Sequence, residues 1–252
     1  MMQRLRGMGW AGALWEFARR PLGIALAVVP LSLVGGIPGG RWWLPLWTAL
    51  LAFPCFLAYL REGEWGKGLR AMAAWAAALA VGVILATVLC PERMERVVWH
   101  GPEYRDEMFG WLVSGQGAEG DWRRFLPQHL LHAGLFVVAA GMSVGFLGLV
   151  MGTLLMNYMA FYVGSLVLQA EGSPMVLLLA WPPWAMLRVA AFLMLAFPVS
   201  AWLWRRPLGL PWQAGAARSF LRVALILLVS DLVLKYGLAP LWRIWLKEGA
   251  GL

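Results

Sequence analysis

Long apolar runs, separated by short polar or glycine- and proline-rich breaks, set the pattern of this chain. About twenty apolar residues at a rise of about 1.5 Å each cross the roughly 30 Å of a bilayer's hydrocarbon. Runs of this kind fall at about 21–36, 42–60, 71–90, 131–151, 154–170, 183–204 and 221–242. The first ends in Gly35, Gly36, Pro38, Gly39 and Gly40, a tight turn ahead of Trp42 and Trp43, whose rings suit the headgroup level. The stretch 131–170 is too long for one crossing, and the pattern divides it at Gly152–Thr153 into a hairpin with almost no loop. Pro182 and Pro183 would break a helix interior, so 174–182 reads as a short interfacial or re-entrant segment. About seven spans are expected, with six possible.

Residues 5–20 alternate at helical spacing. Met8, Trp10, Ala11, Leu14, Trp15, Phe17 and Ala18 share one half of a helical wheel, with Arg6, Glu16, Arg19 and Arg20 on the other and Leu5 as the exception. That pattern predicts an amphipathic helix lying in the interface with its arginines toward headgroups. A secretory signal would need a small-residue cleavage site after its apolar core, and none follows 21–34. The expected organisation is therefore an interfacial helix over 1–20, three transmembrane helices over 21–90 and an extracytoplasmic loop over 91–128. Four more helices follow over 129–252, and the whole is an all-α polytopic integral membrane protein.

Composition supports this class. Of the 252 residues, 61% are hydrophobic and only 13% charged, against roughly 25% charged in soluble domains. The net charge of +8 changes the picture through its distribution. Eleven Lys and Arg fall in the N-terminal segment, 61–70 and 205–222. Eight fall at Arg41, in 91–128 and at Arg243 and Lys247. The rule that cytoplasmic loops collect basic residues puts the N-terminus inside, as in a bacterial inner (plasma) membrane, and 91–128 outside. No basic run interleaves with aromatics, so nucleic acid is not an expected partner. The bilayer is, together with other membrane subunits or a second copy. Cys55 and Cys90 have no metal or redox spacing and read as small apolar residues.

Four groups of residues stand out. Gly134, Gly141, Gly145, Gly148 and Gly152 would line one face of the expected fourth span, where small residues let helices approach closely. Asn157, Tyr158, Tyr162, Ser165 and Gln169 make the next span polar on one side, suited to a helix partner or a wet cavity. Asp231 and Lys235 stand one turn apart in the last span, with Arg188 as a possible third member. Charges at that depth face the bundle interior and pair, as a register-fixing ion pair or as an ion relay. The three histidines, His100, His129 and His132, lie in or beside the outer loop with Glu103 and Glu107. Two His and a carboxylate can hold a divalent metal such as zinc or non-haem iron.

Motifs for ATP hydrolysis, serine-hydrolase chemistry and dinucleotide binding are absent from the sequence. The run G-T-L-L-M-N-Y-M-A-F-Y-V-G-S-L, starting at Gly152, is similar to glycine-rich hairpins in stage II sporulation protein M-like membrane proteins over less than a tenth of the chain. Three functional readings remain. The leading one is a non-enzymatic membrane component, either an assembly subunit or a small permease-like transport protein. The others are a metal-dependent enzyme using His129, His132 and Glu103 or Glu107 at the outer interface, and an ion-coupled transporter using Asp231.

Overall fold

The computed structural model describes residues 10–170 and 174–251, and these are mostly helical with no strand among them. Helix α1 (Trp10–Ala18) is followed by α2 (Pro21–Gly39), α3 (Trp43–Glu62) and α4 (Trp65–Leu89). Two shorter helices, α5 (Pro91–Val97) and α6 (Gly101–Ser114), fold the long loop that follows α4. Then come α7 (Trp122–Met142), α8 (Phe146–Gln169), the short α9 (Pro174–Leu179), α10 (Pro183–Trp204) and α11 (Ala214–Gly249). Among the described residues, α2, α3, α4, α7, α8 and α10 are long and apolar enough to cross a membrane. Helix α11 adds 36 residues, about 54 Å at 1.5 Å per residue, so it is longer than a bilayer's hydrocarbon is thick. Its residues 223–240 carry only Asp231 and Lys235 as charges.

The bundle has two ends. At the basal end, Arg19 pairs with Glu16 and Glu62, and Gln213 Nε2 donates to the Gly63 carbonyl at 2.7 Å. Trp204 Nε1 donates to the Gly141 carbonyl at 2.7 Å. At the cap end, Arg93 donates to the Ile37 and Pro38 carbonyls and Arg41 to the Arg96 carbonyl. Arg243 holds the last carbonyls of α6. Outward-facing side chains such as Leu26, Val34, Leu85, Val138, Ile226 and Val233 are more than half exposed. An apolar surface of this kind is solvated by lipid rather than water.

In α1, Leu14, Trp15 and Phe17 are exposed, while Arg19 turns toward the protein and pairs with Glu16 and Glu62 rather than facing headgroups as expected. Leu5, Arg6 and Met8 of the expected segment lie outside the described residues. In α2 the backbone widens to a π-turn over Ile24–Val28 just ahead of Pro30, which relieves the clash between the proline ring and the preceding turn. Pro182 stands outside α10 and Pro183 occupies its first turn, where a missing N–H costs nothing.

One expected boundary is wrong. The hairpin turns at Ser143–Gly145, not at Gly152–Thr153, and α7 begins near Trp122 rather than 131. The turn is a Schellman arrangement: Val144 adopts φ 56° and the Gly145 N–H donates to the Ala140 carbonyl at 2.7 Å. Ser143 Oγ donates to the Ala139 carbonyl and accepts from the Leu147 N–H, so one hydroxyl serves both helix ends. A β-branched residue in the left-handed region is rare, which is why the sequence pattern conceals this turn.

The single-helix glycine stripe is therefore also corrected. Gly134 and Gly141 belong to α7, Gly145 to the turn, and Gly148 and Gly152 to α8. A Cβ on Gly141 would strike Leu203, and one on Gly148 would strike Ala140, so both sites pack inside the monomer. Gly145 is the most constrained, with φ 95° and Phe56 only 2.3 Å from where a Cβ would sit. Gly134 and Gly152 have open space. Gly145→Ala should lower unfolding stability in detergent by about 1–3 kcal/mol. Gly134→Ala and Gly152→Ala should stay within about 0.5 kcal/mol of the parent or gain slightly. Equal losses at all three positions would contradict this packing.

Candidate functional site

The deepest charges in the bundle meet where α7, α10 and α11 converge. Asp231 is fully buried on α11, and Arg188 on α10 grips it with two bonds, Nε to Oδ2 at 2.8 Å and Nη2 to Oδ1 at 3.0 Å. This planar fork suits a carboxylate, and its charge assistance makes the bonds stronger than neutral ones. His129 on α7 brings Nδ1 to 3.2 Å from Asp231 Oδ2, but off the line a hydrogen bond needs, so that buried nitrogen has no partner.

Lys235 does not neutralise Asp231 along its own helix. Its Nζ reaches Glu119 Oε1 at 2.7 Å in the loop between α6 and α7, and lies 4.6 Å from the Phe125 ring centroid. Arg188 supplies the fork across the helix interface, and the flexible lysine stem is free to reach toward the loop. Arg188 is thus the direct partner of Asp231, and the possible third member becomes the first. Nothing in the sequence pattern marks Glu119.

Above this cluster lies a cavity of about 400 Å³ at the cap end, within the size range of small-molecule sites. Its polar wall includes His100, Glu107, His129, His132 and Tyr158, with Arg188 and Lys235 deeper in. Helix α6 is seated by an aromatic cluster: the Tyr104 ring lies 4.6 Å from Tyr158 and 6.0 Å from Tyr162, and Phe109 lies 5.9 Å from Tyr162. Burial pushes the Tyr104 phenol well above its ordinary value, so it remains a neutral hydroxyl at physiological pH. His100 starts α6 with φ 58°, a left-handed conformation more common for His than for most residues, and its ring faces Tyr158 at 6.0 Å.

All three histidines line one cavity, yet the expected metal site does not assemble. Among the described residues no three His, Cys, Asp or Glu side chains converge on one ion. His100 reaches Glu103 only at 3.9 Å, and Glu103 is exposed and absent from the cavity wall. The polar face of α8 divides as well. Tyr158 lines the cavity, whereas Asn157 Oδ1 and the Tyr162 hydroxyl are buried without a hydrogen-bond partner. Ser165 bonds back to the Phe161 carbonyl, and Gln169 is exposed.

The cavity continues inward. A smaller apolar pocket of about 60 Å³ shares Leu155, Tyr158, Met159, Ala185 and Arg188 with it. Toward the basal end the axis is filled by aromatic rings. Phe56 and Phe197 are 4.7 Å apart, Phe197 and Phe220 6.2 Å, and Phe220 and Trp65 5.8 Å.

Arg188→Met should cost roughly 3–5 kcal/mol of stability because it strands the Asp231 carboxylate. Arg188→Met combined with Asp231→Leu should recover most of that loss, since replacing both charges of a buried pair is often nearly neutral. Thermal unfolding of the four forms in one detergent reads the coupling, and additive losses would mean the pair is not energetically linked.

No protein-family model, curated protein or solved structure matches this chain, so the site is read from its own geometry.

Proposed function

We propose that this integral membrane protein is a small permease-like transport protein, a non-enzymatic membrane component that passes a small substrate along the axis of its bundle. The observation that carries the reading is the axial series of polar cavity, apolar pocket and aromatic floor. Leu155, Tyr158, Met159, Ala185 and Arg188 wall both spaces, so side chains alone separate the cap-end cavity from the bundle centre. A substrate binding there meets a few polar groups in an otherwise apolar enclosure, the usual chemistry of a binding pocket. The rings of Phe56, Phe197, Phe220 and Trp65 then act as the closed gate on the basal side.

The charge distribution supports an orientation with the basal end in the cytoplasm, because among the described residues that end carries nine of the Lys and Arg side chains. The cavity then faces outward. Coupling to a proton through Asp231 is a second reading, favoured by the contact of this one carboxylate with both Arg188 and His129. Neutralising Asp231 would release the fork that ties α10 to α11.

The test needs no knowledge of the substrate. Leu155→Cys, with Cys55 and Cys90 replaced, is placed in sealed vesicles of known orientation and treated with a membrane-impermeant thiol reagent. Alternating access predicts fast labelling from the cap side and slower but measurable labelling from the basal side. Asp231→Asn should shift the balance toward the basal side. Labelling from the cap side alone, in both forms, would rule out transport through this axis.

A further inference from the structure

A third space opens sideways rather than along the axis. Between α4 and α10 runs a groove of about 590 Å³ whose floor includes Met156 of α8. Its α4 wall presents Ala73, Ala76, Ala77 and Ala80, small side chains that leave room between the two helices. Arg70 stands at its basal rim and Trp181 at its cap-end rim, so the groove runs lengthwise across the apolar belt. Ala76, Met156, Val189 and Leu193 line both this groove and the central apolar pocket. The pocket in turn shares Arg188 and Tyr158 with the polar cavity. Lipid-facing groove, apolar pocket and polar cavity are therefore adjacent compartments, divided by side chains that include the flexible Met156 and Met159.

The polar end of this series holds one uncommitted guanidinium nitrogen. Arg188 commits Nε and Nη2 to Asp231, and its Nη1 has no hydrogen bond among the described residues. His129 is 5% exposed, and its buried Nδ1 faces Asp231 Oδ2 at 3.2 Å rather than the cavity. Both residues line the cavity, as does the Tyr158 ring. Lys235 and Glu119 satisfy each other, and Glu107 is exposed in the outer part of the wall. The deep part of the cavity is thus set to donate to an anionic oxygen, while Glu107 repels an anion from the mouth.

We propose that the substrate is a membrane amphiphile, a phospholipid whose phosphate binds at the free Nη1 of Arg188 while its chain leaves through the central pocket into the groove between α4 and α10. This deepens the transport reading and rests on it only for movement, not for binding. A water-soluble substrate would have no use for a wide alkyl-lined opening beside its site. A lipid needs one, because its chain stays in hydrocarbon while its headgroup enters the protein. Charge complementarity sets which end goes where: the free guanidinium nitrogen lies in the polar cavity, and the groove between its rims offers alkyl surface.

The test uses the full chain in detergent and in vesicles of phosphatidylglycerol and phosphatidylcholine. Bound phosphatidylglycerol is counted by native mass spectrometry for the parent and for Ala77→Trp, an exposed groove position that fills the space without touching the polar cavity. Affinity should fall about tenfold in Ala77→Trp, because losing as few as two methylenes from the groove suffices. Soluble glycerol phosphate should neither compete nor raise the unfolding temperature. If glycerol phosphate stabilises parent and Ala77→Trp alike, the site takes a free anion, and the amphiphile proposal falls while axial transport stands. If Ala77→Trp leaves phosphatidylglycerol binding unchanged, the groove is not its seat and the proposal again falls. Groove-dependent binding, with no translocation of fluorescent phosphatidylglycerol and with Leu155→Cys labelled only from the cap side, would uphold the lipid site and refute transport.

Discussion

The arrangement of the second half of the bundle depends on one buried carboxylate. Asp231 has no water to turn to, and an unpaired charge at that depth is costly. The requirement is met by the Arg188 fork from α10, while His129 on α7 stands 3.2 Å away without a hydrogen bond to it. Ser200 and Trp204 on α10 reinforce the second of these neighbours by donating to the Ala140 and Gly141 carbonyls of α7. Register among α7, α10 and α11 is thereby set by polar groups. Apolar side chains could not fix it alone, because lipid tails solvate them as well as another helix does.

The same economy shapes the cavity. Each formal charge in its depth already has an opposite neighbour, so the cluster is close to neutral and tolerates burial. What remains available to a visitor is directional: a free guanidinium nitrogen and a phenol ring. Such a surface selects by hydrogen-bond geometry more than by long-range attraction. The aromatic seat of α6 on α8 keeps the outer wall in place, since Tyr104 bridges Tyr158 and Tyr162.

Much of the fold was legible because membrane spans announce themselves by length and apolarity, which depend on no partner. The helix break at Pro182–Pro183 follows from a local rule and matches what the described residues show, and Asp231 is buried in the bundle as its charge requires. The turn at Val144 was hidden because its backbone strain is supported by Ser143 and by Phe56 against Gly145, contacts that no periodicity encodes. The same shift of the turn dissolved the glycine stripe into positions on two helices. At the site, sequence singled out Asp231, Lys235, Arg188 and the histidines but paired them incorrectly. Glu119 lies 116 residues from Lys235, and only the folded loop brings them together. The histidines do share one chamber, but too far from enough carboxylates to hold a metal.

The way Arg243 holds the long loop after α4 has an evolutionary side. Its guanidinium engages three main-chain carbonyls, those of Trp111, Leu112 and Val113, at 2.7 to 3.0 Å, and among the described residues no carboxylate takes part. Any sequence that ends a helix there offers the same oxygens. The latch is therefore indifferent to drift in the side chains it touches and sensitive only to the arginine and to Gly115. That glycine turns at φ 75°, where a Cβ would press on the guanidinium. The loop's cavity-facing residues are free to diversify while the loop stays docked, so the lining of the chamber can change without loosening its lid-side wall.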